Sequence, residues 1–306
     1  MTLNLAHLTA LRELGRLGTM VAVADELGYT PGAVSQQIAA LEKSVGTSLI
    51  TKVGRNVMLT DAGVVLAEHA DRVLAAERSA VDAVLNLEGQ VAAPVVLGAF
   101  GSTAAILLPE VVSVADSLYP QMRLSSCELD VDQAIDAVAH NRVDLAFGID
   151  YPTHPLPRVP GVEILTLREE RFGLAAATGA HGVRTRSTID LHDAADWPWI
   201  LAPATTYYGL AMRIACRQNG FEPRVVHEIV DTAVTLTLVG KSLGVAPMTD
   251  MMVGLVPSAP IVRLDLRQQI LRRVVLIRSI HADARPAVRA ATEVVRTVFH
   301  GVQNYR

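Results

Sequence analysis

A small helical module carrying a β-hairpin, then one long helix, then an α/β domain of two lobes is the architecture this sequence predicts. Three observations predict it. Thr-capped, glycine-stopped helical segments crowd the first 45 residues, a heptad-spaced stripe runs from residue 62 to 87, and strand and helix patterns alternate from Pro94 onward. At 306 residues the chain is too long for one ordinary core, and its composition, 50% hydrophobic with 19% charged, can fill two. The same composition excludes disorder.

Leu5, Leu8, Leu11 and Leu14 form the stripe of a first helix, which Gly15 and Gly18 break. Thr19 caps a short second helix, Met20 to about Leu27, stopped by Gly28. Thr30 caps a third, with Pro31 at its first position, where a missing N–H costs nothing. Capped helix, glycine turn, capped helix is the helix-turn-helix pattern. Val34, Ile38, Leu41 and Val45 phase the third helix and mark its inner face. The opposite arc carries Gly32, Gln36, Ala39, Ala40 and Lys43, flanked by Ala33 and Ser35. A solvated surface helix would show Glu and Lys there. Small, nearly uncharged side chains around one amide instead let a helix lie deep in a DNA major groove.

Gly46 ends that helix, and residues 49–53 and 57–59 alternate as strands around Gly54-Arg55-Asn56. This hairpin is a wing, with Lys52 and Arg55 placed to meet phosphates or the minor groove. Thr60-Asp61 then caps a helix running to about residue 88. Along it Ala62, Leu66, His69, Val73, Ala76, Ala80, Ala83 and Leu87 step by four and three. Such a seam pairs with a second copy or packs on its own chain. The pattern leaves both open.

From residue 94 the pattern reads as parallel βαβαβ: strands at 95–99, 123–128 and 144–149, with helices near 104–118 and 131–141. A proline-rich loop, 151–160, leads to a second unit. Its strands are expected at 162–167, 172–177, 198–201, 224–229, 244–248, 261–264 and 273–280, and its helices near 209–219, 232–241 and 284–299. Ser102 and Thr103 fall at a helix N-terminus, where free N–H groups and the dipole suit a small anion; either could instead simply cap the helix.

Charge alone does not nominate a nucleic-acid partner. Residues 1–56 hold five bases and four acids, residues 57–90 are net −4, and the whole chain is −4. Cys127 and Cys216, 89 residues apart, form neither a zinc knuckle nor a CxxC pair, and buried reduced thiols are expected. Charged residues interrupt the N-terminal leucines and Gly, Ser and Thr interrupt the apolar run at 95–108, so neither a secretion signal nor a bilayer helix is expected, and the cytoplasm is the expected location. No GxSxG, HExxH or GxGxxG is present. Gly240-Lys241-Ser242 lacks the upstream glycine of a phosphate loop, because position 235 is Thr. An enzyme is disfavoured and no cofactor is implied.

The run Ala22-Val23-Ala24-Asp25-Glu26-Leu27-Gly28-Tyr29-Thr30-Pro31-Gly32-Ala33-Val34-Ser35-Gln36-Gln37-Ile38, with Leu41-Glu42, Val45-Gly46, Leu49-Ile50 and Leu59-Thr60-Asp61-Ala62-Gly63, resembles the N-terminal domain of LysR-type transcriptional regulators. Leu107-Leu108-Pro109, Tyr119-Pro120, Arg142-Val143-Asp144-Leu145-Ala146 and Gly244-Val245-Ala246-Pro247 are similar, more loosely, to that family's effector domain. The resemblance implies an all-α winged helix-turn-helix domain at 1–58 and a linker and dimerisation helix at 59–90. It implies a periplasmic-binding-protein-like α/β effector domain at 91–306, with lobe I about 91–161 and 268–306 and lobe II about 162–267. Promoter DNA, a small-molecule effector, further copies of the chain as dimer or tetramer, and RNA polymerase are the implied partners; an architectural, ligand-independent DNA-binding role is the alternative.

By matching positions, Thr30, Pro31, Gly32, Ser35 and Gln36 are the expected DNA contacts, with Lys52 and Arg55 on the backbone or minor groove. The implied effector cleft is lined by Ser102, Thr103, Phe147, Gly148, Ala202, Pro203, Thr205 and Pro247. Three departures bear on recognition. Ile50 and Lys52 stand where the family usually has Phe and Arg, and Gln36 stands where Arg is frequent. Gln matches adenine better than guanine, and the charge contribution falls.

Overall fold

The computed structural model describes residues 2–53, 56–85, 91–180 and 187–301. The chain divides into two compact units, Met1–Leu87 and Glu88–Arg306.

In the first unit α1 (Leu5–Leu17), α2 (Met20–Leu27) and α3 (Pro31–Val45) form as the caps dictate. Asn4, Thr19 and Thr30 each accept a first-turn N–H, and Gly18, Gly28 and Gly46 close the helices at φ 73°, 69° and 78°. That left-handed region favours glycine. Gly15 does not break α1 as expected. The helix runs on to Leu17, and the absent side chain makes room for Leu59, whose Cδ1 would lie 2.9 Å from an added Cβ. Leu8, Leu11, Leu14, Val23, Val34, Ile38, Leu41 and Leu49 are buried together, each contributing about 1.5–3 kcal/mol by leaving water.

β1 (Ile50–Val53) and β2 (Asn56–Leu59) pair antiparallel with Val53 opposite Asn56, so Asn56, expected in the turn, belongs to the second strand; the other two turn positions are Gly54 and Arg55. Those two lie outside the described residues, as does Leu87 of the heptad stripe. α4 (Asp61–Leu85) follows. Its start is locked to the strand entry: Thr60 Oγ1 donates to the Ser48 carbonyl at 2.8 Å and accepts the Gly63 N–H at 3.1 Å. Gly63 must be glycine, because an added Cβ would stand 2.0 Å from the Leu49 carbonyl oxygen.

Lobe I of the second unit is a five-stranded sheet ordered β4-β3-β5-β13-β6. Its strands are β3 (Pro94–Ala99), β4 (Arg123–Glu128), β5 (Leu145–Asp150), β6 (Val162–Arg171) and the chain's last strand, β13 (Leu271–Ser279). β3 runs parallel to both β4 and β5, as expected, and β13 runs antiparallel to β5 and β6. α5 (Gly101–Leu118) and the last helix, α10 (Pro286–Gly301), share the core cluster of Val95, Leu97 and Phe147; α6 (Ala134–Ala139) shares that of Ala146, Val275 and Ile277. α5 is long and apolar enough to cross a membrane by composition. Here it buries Leu107, Val111 and Ala115 in lobe I and leaves Pro109 and Glu110 exposed.

Lobe II holds β7 (Gly173–Ala177), β8 (Thr188–Ile189), β9 (Pro198–Leu201), β10 (Arg224–Glu228), β11 (Ala246–Met248) and β12 (Ile261–Leu266), with α7 (Tyr207–Gln218), α8 (Thr232–Gly240) and α9 (Asp250–Val253). The order β11-β7-β12-β8 continues into β9 and β10 through the parallel bridge of Trp199 with Val245. The expected lobe boundary at 162 is corrected. β6 hydrogen-bonds along β13 from Val162 to Arg171 and so belongs to lobe I; the chain crosses at Phe172, whose N–H donates to the Ile270 carbonyl at 2.8 Å. Of the two cysteines, Cys216 is buried as expected, but Cys127 is exposed on the edge strand β4.

Candidate functional site

The outer arc of α3 is open to solvent. Pro31, Gly32, Ser35, Gln36, Ala39, Ala40 and Lys43 are exposed, while Val34, Ile38 and Leu41 face the core. Thr30 Oγ1 caps the helix by accepting the Ala33 N–H at 3.2 Å, which leaves its hydroxyl proton to donate outward. Glu42, the acid nearest this arc, turns inward. Its Oε1 accepts the N–H of Leu49 at 2.8 Å and of Ile50 at 3.3 Å, fastening the wing to α3. Lys52 is exposed on β1, opposite Val57.

Two of the module's bases are spent internally. Glu13, only 2% exposed, takes Arg12 Nη2 and Arg16 Nε at 2.7 Å each; Arg12 also reaches Asp71 at 3.8 Å and Arg16 reaches Glu26 at 3.2 Å. A buried carboxylate needs such partners. The positive charge left to face outward is Lys43 and Lys52 among the described residues, which a count of bases in the sequence does not reveal.

On α4 the heptad seam splits. Ala62 and Leu66 pack on the first unit's core, while His69, Val73, Ala76, Ala80 and Ala83 are exposed, together with Val65 and Val84 on the same side. Own-chain burial falls on a different stripe, Ala70 and Leu74.

Both lobes of the second unit share one topology at their centre. In lobe I the first strand, β3, lies between its successors β4 and β5; in lobe II β9 lies between β10 and β11. Strand order reverses at such a strand, and a crevice opens beyond its carboxyl end. Ser102 and Thr103 follow β3, Ala202, Pro203 and Thr205 follow β9, and Pro247 lies in β11. Neither Ser102 nor Thr103 caps α5. The N-cap residue is Phe100, with no side-chain cap bond, and Thr103 Oγ1 is fully buried with no hydrogen-bond partner. The loop after β9 is held rigidly: Arg213 Nη1 donates to the Ala202 carbonyl at 2.6 Å and Thr206 Oγ1 to the Pro203 carbonyl at 2.8 Å.

Phe147 and Gly148 are corrected. They lie inside β5, which ends at Asp150, and not at its carboxyl end. The Phe147 ring packs on Phe299 at 6.1 Å, and an added Cβ on Gly148 would meet Ile277 at 2.6 Å. Both are core positions. The residues at the strand ends are others, which the sequence reading missed. Tyr151 follows β5, and Tyr208, in the first turn of α7, donates its hydroxyl to the Pro247 carbonyl at 3.2 Å. Behind them Arg272, 2% exposed, pairs with Glu170 at 2.7 Å, donates to Thr249 Oγ1 at 3.0 Å and lies over the Phe172 ring. Burial pushes both phenols, Tyr151 and Tyr208, above the usual tyrosine range, so they remain hydrogen-bond donors at any physiological pH. The signal for the ion pair was phase: Arg272 is in step with Val274 and Leu276 on β13, and its register partner is Glu170. Asp132, after β4, accepts the Tyr207 N–H of the opposite lobe at 3.2 Å, and His154 lies against the Tyr207 ring at 4.8 Å. Among the described residues no group of His, Cys, Asp or Glu is arranged to hold a metal ion.

A winged helix-turn-helix with an open third-helix face, joined to a two-lobed domain with paired strand-end crevices, defines a DNA-binding regulator with a ligand-binding domain. Residues 5–64 match the model of the bacterial regulatory helix-turn-helix protein, LysR family, and residues 88–300 match that of the LysR substrate binding domain. The chain belongs to the LysR family of transcriptional regulators. It is 28% identical over 268 residues, 84% of this chain and 88% of the relative, to the HTH-type transcriptional regulator ShiR of Corynebacterium glutamicum. It is 27% identical over 244 residues, 76% of this chain and 79% of the relative, to a probable cat1 operon transcriptional activator of Acinetobacter lwoffii. A full-length OxyR from Pseudomonas aeruginosa, carrying a cysteine-to-aspartate substitution, superposes with a TM-score of 0.71 at 18% identity, covering 98% of this chain and 95% of that one. Full-length CbnR complexed with its target DNA superposes at 0.55 and 20% identity, covering 97% and 100%.

Proposed function

We propose that α3 of this regulator enters the major groove and that Gln36 reads a base edge there, with adenine preferred. The observation that carries this is the exposed, small-residue arc of α3 around a single amide. Thr30 and Ser35 donate to phosphates, Pro31 and Gly32 allow close approach, and Lys52 and Arg55 on the wing neutralise backbone charge. With so little outward positive charge per DNA-binding module, binding rests on two or more modules acting together, and the exposed seam of α4 is the pairing surface of a dimer or of the dimers within a tetramer. The working divisions are 1–58 for DNA, 59–90 for pairing and 91–306 for the effector. The effector sits between the lobes at Ser102, Thr103 and the loop through Ala202, Pro203 and Thr205, with Pro247 alongside. Its binding biases lobe closure and thereby the spacing of the DNA-reading helices. RNA polymerase is the downstream partner, the site of action is the cytoplasm, and no catalytic step is involved.

Two substitutions separate these roles. Gln36→Ala relaxes sequence preference by about 1–3 kcal/mol at one base pair. Lys52→Ala weakens all sequences alike and lowers the salt slope by about one. Fluorescence anisotropy on selected and scrambled duplexes over a salt series measures both; uniform losses from both variants contradict the assignment. For the effector, Ser102→Ala weakens ligand binding in calorimetry and leaves ligand-free DNA affinity unchanged.

A further inference from the structure

The two helix N-termini at the lobe crevices differ in one respect. α5 starts beyond β3 with no side-chain cap, and Thr103 Oγ1 in that first turn is fully buried and unpartnered. α7 starts beyond β9 with its end filled. Thr206 Oγ1 accepts the Gly209 N–H at 3.0 Å, and a carboxylate from the other lobe, Asp132 Oδ2, accepts the Tyr207 N–H at 3.2 Å. An anion belongs at such a helix end, and at α7 the protein supplies its own.

Resting on the interlobe reading above, we propose that Asp132 determines ligand specificity: it takes the place of a second ligand carboxylate, so the site accepts a compact aminocarboxylate and rejects dicarboxylates. The carboxylate end meets the α5 N-terminus and Thr103; the ammonium end meets Asp132. Geometry puts both poles on one rim. β3 and β4 are neighbours with Ala99 opposite Glu128, about 5 Å apart, and Ser102 and Asp132 follow those strand ends. Asp132 is only partly buried, so its carboxylate can take a ligand donor besides the Tyr207 N–H. Charge balance points the same way. Asp130 adds a second acid, Arg272 is committed to Glu170 and Thr249, and His154 is the remaining base near Asp132. A second ligand carboxylate would meet like charge, which disfavours its binding.

The test uses the full chain and two matched probe sets: propionate, malonate and β-alanine, then butyrate, succinate and γ-aminobutyrate, each titrated by calorimetry and thermal shift. On the native protein the aminocarboxylate of a set binds tightest and the dicarboxylate weakest, by roughly tenfold or more. Asp132→Ser empties the α7 end and brings the dicarboxylate level with or ahead of the monocarboxylate. Asp132→Asn, which keeps the acceptor without the charge, guards against misfolding of the first variant and loses the aminocarboxylate preference. A dicarboxylate that binds tightest to the native protein, or an unchanged ranking in both variants, overturns the role of Asp132. If no probe binds, or if binding is indifferent to Ser102→Ala and Thr103→Val, the interlobe site itself is overturned and this inference with it.

Discussion

Gly63→Ala isolates the joint between wing and linker helix. An alanine Cβ there would stand 2.0 Å from the Leu49 oxygen, 3.0 Å from its carbonyl carbon and 3.2 Å from Leu59 Cβ. The first turn of α4 must back away by roughly 1 Å or more to reach van der Waals contact. That movement strains the Thr60 bonds to Ser48 and Gly63, 2.8 and 3.1 Å long. Overpacking against backbone costs about 2 kcal/mol, and weakening the two bonds costs up to about 2 more. Alanine's better helix propensity returns about 1. The net is about 3 kcal/mol, a fall of roughly 2 M in urea midpoint at a slope near 1.5 kcal/mol/M. Amide exchange of peptides spanning α1 to α3, followed by mass spectrometry in urea, reports the loss. Trp197 and Trp199 both lie in the second unit, so tryptophan fluorescence should stay put. Gly32→Ala is the contrast: its nearest neighbour to an added Cβ is Thr30 Oγ1 at 4.0 Å, so stability holds while DNA affinity drops. Undiminished exchange protection in Gly63→Ala would refute the close-contact explanation.

Arg12→Ala, unlike Lys52→Ala, should lower stability without changing the salt slope of DNA binding, because Arg12 serves Glu13 and Asp71; a reduced slope would place it at the DNA. Burial, with help from Asp130, holds the Asp132 carboxyl above its usual 3.8 despite the Tyr207 N–H and His154. The folded chain therefore keeps that proton after the unfolded chain has lost it, and stability falls as pH rises from 3.8 through the raised value. Asp132→Asn removes that slope, so its stability relative to the native protein should climb across this window and then level off; a constant difference in urea titrations across pH contradicts the assignment. Burial pushes the Cys216 thiol up to about 12, so with the exposed Cys127 replaced by Ser the chain should react with thiol reagents only at the rate of unfolding, and fast labelling of folded Cys127→Ser would show that lobe II opens.

Caps and stops made the helix-turn-helix readable, since Thr19, Thr30, Gly28 and Gly46 act on their own neighbours and need no distant partner. The parallel strands of lobe I were legible for a related reason: β3 and β5 are buried along most or all of their length and read as apolar runs. What failed was non-local. Gly15 looked like a stop because its reason for being glycine, Leu59, lies far along the chain. β6 was assigned to the wrong lobe because only pairing with β13 decides its sheet. Phe147 was placed in the cleft by the family resemblance, although the expected strand at 144–149 already held it inside, and only the distant Phe299, on which its ring packs, shows that it is a core residue. Arg272 and Glu170 went unnoticed in the sequence because only the register of β13 with β6 puts them opposite each other.

The most direct test of DNA recognition through α3 is retention of genomic fragments by the full chain at low ionic strength, native against Ala39→Glu. Ala39 is exposed on that arc, so a glutamate leaves the fold intact, which far-ultraviolet circular dichroism checks, but sets a negative charge against the duplex. The native chain should retain a discrete set of fragments and the variant should retain none. Equal retention by both, with the variant folded, would mean that another surface holds the DNA.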